Sequence, residues 1–222
     1  MKTKASIPNE DLKAIREIME RSSRFLSLSG LSGIFAGLCA LAGAAIAWFL
    51  ILDFGQVEYN EFIEDKAGIF NSDLWLYFVL DAIIILIFAA LGVVYFSQRK
   101  ARKSGLKFWT DSTRRLLIHL MIPLVSGGVF TLILLFNNYI DLIASAMLIF
   151  YGLSLVNAGK FTFGEIHYLG LTEIVLGILA GVFVRHGLLI WATGFGVMHI
   201  VYGTVMYYRY EKYGDNKLEG NL

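Results

Sequence analysis

Six continuous apolar runs alternate with polar or charged segments along the chain: Ser29–Leu52, Leu74–Phe96, Leu116–Phe136, Ile140–Val156, Ile166–Val184 and Leu188–Tyr208. These lengths lie near the about 20 residues that carry an α-helix across roughly 30 Å of hydrocarbon. The runs are rich in Leu, Ile, Ala and Gly and lack the strict period-two alternation of a barrel strand. The pattern predicts an all-α membrane protein, a bundle of six transmembrane helices. Composition agrees, with 57% hydrophobic and 17% charged residues and a mean hydropathy of +0.64.

Charge adds the orientation. Net charge is only +1, but 17 of the 19 Lys and Arg residues fall before the first run, between Arg99 and Arg115, at Lys160, or after the last run, leaving only Lys66 and Arg185 opposite. The positive-inside rule then predicts both termini in the cytoplasm. The same split accounts for the basic residues without nucleic-acid binding. Cys39 is the only cysteine and lies inside the first run, so chemistry by a Cys pair is excluded. That run is too long for the apolar core of a cleaved signal peptide and reads as a retained span.

The flanking segments carry weaker signals. Residues 1–28 read as a cytoplasmic amphipathic helix starting near Pro8-Asn9, either lying on the inner leaflet or extending the first span. Asp53–Asp73 reads as a solvated acidic loop without calcium-loop spacing, and residues 209–222 as a cytoplasmic tail. Arg99, Lys100, Arg102 and Lys103, followed by Lys107-Phe108-Trp109, are expected to meet anionic lipid headgroups.

Internal similarity is more informative. Met147-Leu148-Ile149-Phe150-Tyr151-Gly152 in the fourth run and Met198-His199-Ile200-Val201-Tyr202-Gly203 in the sixth share M-x-I-[FV]-Y-G. Gly127-Gly128-Val129-Phe130 in the third answers Ala180-Gly181-Val182-Phe183 in the fifth, and Gly30-Leu31-Ser32-Gly33-Ile34 with Gly37 in the first answers Gly170-Leu171-Thr172-Glu173-Ile174 with Gly177. Three helical hairpins in parallel orientation are expected. Their glycine stripes permit close helix packing in lipid, and a homo-oligomer through such a face is compatible with the pattern.

Ionisable groups at membrane depth are costly unless neutralised or paired, so they mark candidate sites. Glu173 lies on the stripe Gly170, Gly177, Gly181 and His199 on the stripe Ala192, Gly196, Gly203, at depths of about 10–12 and about 15 Å. Asp81 and His119 are the other two such groups. One reading is a polar track from Asp81 through Glu173 and His199 to His119, serving proton movement or a small cationic solute. The other makes them interhelical hydrogen-bond partners, with Tyr151 and Tyr202 available. A haem held by His119 and His199 is a third option, disfavoured because membrane cytochromes usually carry more histidines. No metalloprotease, phosphate-loop or nucleophile-elbow motif occurs, so neither an enzyme nor a cofactor is expected.

The last hairpin resembles the HdeD-type acid-resistance membrane proteins of bacteria. The resemblance is carried by Leu169-Gly170, Gly177-Ile178-Leu179-Ala180-Gly181, Gly196, Gly203 and the aromatic-basic end Tyr207-Tyr208-Arg209, with fainter echoes in Leu116–Asn157. It implies six spans in repeated hairpins and a non-enzymatic envelope or acid-stress protein, and it assigns no site residues. The polar amino-terminal arm, the acidic loop and Glu173 depart from that pattern.

Overall fold

The computed structural model describes residues 25, 27–51 and 74–212. The amino-terminal helix, the acidic segment Asp53–Asp73 and the last ten residues expected from the sequence lie outside them. All regular structure within them is helical. Helix α1 is Gly30–Ile46, continued by a π-helical turn Ala47–Ile51; α2 is Leu74–Lys103, α3 Asp111–Phe136, α4 Ile143–Ala158 and α5 Gly164–Val182. Helix α6 runs without a break through Gly187–Trp191, the π-helical Ala192–Met198, His199–Tyr207 and the π-helical Tyr208–Lys212. Among the described residues, six helices are long and apolar enough to cross a membrane.

Local chemistry sets the helix ends. Helix α2 continues through the basic stretch to Lys103, where Lys100, Arg102 and Lys103 oppose the partial negative charge of its last turn. Thr110 starts α3 with a capping box shared with Thr113. Asn138, at φ 60°, turns the chain from α3 to α4, a left-handed conformation that asparagine tolerates better than most residues.

Glycine decides which helices meet. They lie side by side in the order α2, α1, α6, α5, α4, α3, with α4 also touching α6. The α1–α6 and α4–α5 contacts are backbone to backbone. A Cβ added at Gly30 would strike Gly203 O and Tyr207 N, and one at Gly203 would come 2.6 Å from Ile34 N. On the other side, a Cβ at Gly170 would lie 2.7 Å from Gly152 O and Val156 N, and one at Gly152 would lie 2.9 Å from Ile174 N. Positions that the sequence equates, Gly30 with Gly170 and Gly203 with Gly152, therefore touch equated partners in both interfaces.

No comparable interface joins α2 to α3 among the described residues. The alignment that pairs Gly128 with Gly181 puts Leu117, Leu120 and Leu124 where α5 has Gly170, Glu173 and Gly177. Leucine holds backbones apart where glycine lets them meet. Helices α2 and α3 thus end the row, and only 6% of each one's apolar stretch is buried, against 44% for the span containing α4. Their outward Leu, Ile, Val and Phe side chains face lipid.

At the Lys- and Arg-rich end, the chain before α1 is tied to three other segments. Phe25 N donates to Phe161 O at 2.7 Å, and Thr162 Oγ1 donates to Phe25 O at 2.8 Å. Glu211, at the end of α6, accepts from Gly30 N at 2.6 Å and from Ser29 Oγ at 3.1 Å, so one helix end supplies the cap of another. Lys100 Nζ donates to Leu28 O at 2.7 Å and lies 3.5 Å from Glu211. It therefore points into the protein, whereas Arg99, Arg102 and Lys103 are exposed. A hydrogen bond to a charged group contributes about 1.5–3 kcal/mol. Glu211→Ala should lower the unfolding free energy of the purified protein by about that much in a denaturant titration.

Candidate functional site

Three residues expected from the sequence meet where α4, α5 and α6 converge. Glu173 of α5 is 0% exposed, and His199 of α6 is 6% exposed. Tyr151 Oη of α4 lies 2.8 Å from His199 Nε2, and His199 Nδ1 lies 3.1 Å from the Gly194 carbonyl oxygen. A carbonyl oxygen can only accept, so Nδ1 carries hydrogen and donates to Gly194 O. In the neutral ring, Nε2 then accepts from the Tyr151 hydroxyl. Glu173 Oε1 lies 3.4 Å from the same Nδ1, yet neither carboxylate oxygen has a hydrogen-bond partner among the described residues.

The surroundings enclose the carboxyl group. Leu148 is fully buried, and a Cβ added at Gly194 would strike Glu173 Oε2 and Leu148 Cδ2. Glycine at 194 thus makes room for the carboxyl group. Phe195 stacks beside His199 at 6.1 Å between ring centroids and packs at 4.8 Å on Tyr151. Gly194, Phe195 and Gly196 belong to the π-helical segment that leads into His199, a winding often found at functional sites.

The other sequence candidates stand apart from this cluster. Tyr202 pairs with Thr172, with 3.3 Å between hydroxyl oxygens. Asp81 faces α1, where a Cβ added at Gly43 would lie 3.4 Å from its Oδ2. His119 stacks on Phe161 at 4.7 Å near the basic end. Both groups belong to helices at opposite ends of the row, which separates them from Glu173 in space. As a haem ligand, His199 would have to give up its bond to Tyr151 or to Gly194. No cluster of three or more His, Cys, Asp or Glu side chains fit to hold a metal occurs among the described residues.

Sequence reasoning left two features of the site unread. One is the Gly194 carbonyl, whose approach to the imidazole follows from a backbone winding that the residue pattern does not announce. The other is a second acid–base contact on the same two helices. Glu165, in the first turn of α5 and 8% exposed, accepts from Arg209 Nη1 at 2.7 Å and from Tyr210 Oη at 3.0 Å. Its place at the start of a span beside the basic end of α6 was a usable signal.

What the arrangement can do is hold a proton. A carboxyl, an imidazole and a phenol come together across three helices, the carboxyl fully enclosed and the phenol half-buried, with no set of metal ligands beside them among the described residues. Comparison with known proteins adds no family: no family model, curated protein or solved structure matches this chain.

Proposed function

We propose that the chain is a non-enzymatic protein of the bacterial inner membrane that binds and releases a proton at the Glu173–His199–Tyr151 site as acidity at the membrane changes. The observation that carries this reading is the Glu173 carboxyl, fully enclosed, without a hydrogen-bond partner among the described residues and 3.4 Å from an imidazole nitrogen. An unpaired carboxylate at membrane depth costs several kcal/mol. A proton on the Glu173 carboxyl removes that cost, and its loss or gain changes the contact between α5 and α6. The resemblance of the last hairpin to acid-resistance proteins supports the same class.

In this reading both termini are cytoplasmic and the helices form three hairpins of like orientation. The 17 to 2 split of basic residues supports the first point, and the twice-used glycine contact supports the second. Arg99, Arg102 and Lys103 meet anionic headgroups there. A carrier that also used Asp81 would need that residue at the site, and Asp81 faces Gly43 instead.

Infrared difference spectroscopy of the protein in lipid nanodiscs tests the proposal. The wild type is expected to show a pH-dependent carbonyl band of a protonated carboxylic acid, which Glu173→Gln removes. Identical spectra from the two proteins at every pH would refute it.

A further inference from the structure

We infer that the connector between α2 and α3 is a phospholipid site, taking a singly negative phosphodiester headgroup at Lys107 and Arg114, with the acyl chains laid along α3. This inference does not depend on the reading of Glu173 and His199. The connector borders an open cavity of about 440 Å³ lined by Lys107, Trp109, Thr110, Asp111 and Arg114. That volume lies within the about 300–1,000 Å³ of small-molecule sites. Neither Lys107 nor Arg114 has an ion-pair partner among the described residues.

The connector holds this shape through its own bonds. Gly105 N donates to Arg102 O at 3.3 Å, Leu106 N to Ala101 O at 2.9 Å, and Thr113 Oγ1 to Phe108 O at 2.7 Å. Phe108 packs edge-on against Phe25, with 5.8 Å between ring centroids. A site formed in advance loses little freedom when it binds.

Charge defines the headgroup. Lys107 and Arg114 against Asp111 leave the lining with one positive charge in excess, which one phosphodiester balances. The guanidinium fork of Arg114 suits two phosphate oxygens. The Thr110 hydroxyl is already committed to its capping box. Asp111, as a carboxylate, can only accept, so it favours a headgroup with hydroxyl donors beyond the phosphate. Phosphatidylglycerol has both features.

The face of α3 that continues from Arg114 favours a lipid over free phosphate. Ile118, Ile122, Val125 and Val129 follow Arg114 along one side of the helix, and all are exposed. From Ile118 to Val129 the rise is about 16 Å, close to half of the roughly 30 Å of hydrocarbon and so to one leaflet. Helix α3 ends the row, with only 6% of its apolar stretch buried. Trp109, 67% exposed beside the cavity, is the side chain that membrane–water interfaces favour.

Native mass spectrometry of the delipidated full chain, titrated in detergent with dioleoylphosphatidylglycerol, tests the site. The wild type is expected to hold one such lipid about tenfold more tightly than dioleoylphosphatidylcholine, and Lys107→Gln with Arg114→Gln to abolish that preference. Arg99→Gln with Arg102→Gln removes the same charge from α2 outside the cavity and is expected to keep it. Equal losses in both pairs, or no preference in the wild type, overturn the site, because the attraction is then general to the basic end. Inorganic phosphate in excess should leave the lipid bound, and its full displacement overturns the lipid assignment. If the Lys107 and Arg114 pair fails to fold, Lys107→Gln alone decides. A loss of about threefold or more is expected there, and an unchanged affinity refutes the site.

Discussion

Gly203→Val is expected to cost the bundle about 3 kcal/mol, the upper part of the usual range for overpacking, because the new side chain meets backbone on α1 that cannot turn aside. A Cβ at this position already comes within 2.6 Å of Ile34 N and 2.7 Å of Gly30 O. The α1–α6 contact would open, and Glu211 would lose its hold on Gly30 N. Gly128→Ala is the control, since nothing lies within 4 Å of a Cβ there. Reversible unfolding in mixed micelles should show a large loss for the first variant and none for the second. Equal losses would mean that glycine matters through the helix itself and not through the contact.

The second large effect runs the opposite way. Glu173→Met keeps the length of the side chain and removes a buried carboxyl that has no hydrogen-bond partner among the described residues, a group whose burial costs about 1–3 kcal/mol. The variant should gain about that much stability in the same assay while losing the infrared band. Stability given up at a functional position is a common feature of active proteins. A loss comparable to that of a core truncation would instead identify Glu173 as an anchor between helices, the alternative left open by the sequence.

The two variants also mark how much was legible beforehand. Six spans follow from continuous apolar runs because lipid leaves a long segment no option but the helix. The glycine registers were legible as repeated motifs, and equated positions do touch equated partners. Which helix faces which was not legible, because Gly30 and Gly203 lie at opposite ends of the chain and glycine carries no label for its partner. Glu173 and His199 stood out as ionisable groups at similar depth in the last two spans, with Tyr151 and Tyr202 as available partners. Asp81 and His119 stood out equally, and only the order of the row separates them from the site. The tie between Lys100 and Glu211 was hidden because charges near a membrane face are read first as topology signals.

The position of α1 between α2 and α6 bears on how the protein is made. Helix α1 is synthesised before α6, the helix that meets its glycine face, with four other helices made in between. Until α6 arrives, Gly30, Gly33 and Gly37 have only lipid to face, with α1 paired to α2 alone. The α1–α6 contact therefore forms only after α2 to α5 have been made, and a chain stopped after α5 would leave the α1 glycine face waiting in the membrane for its partner.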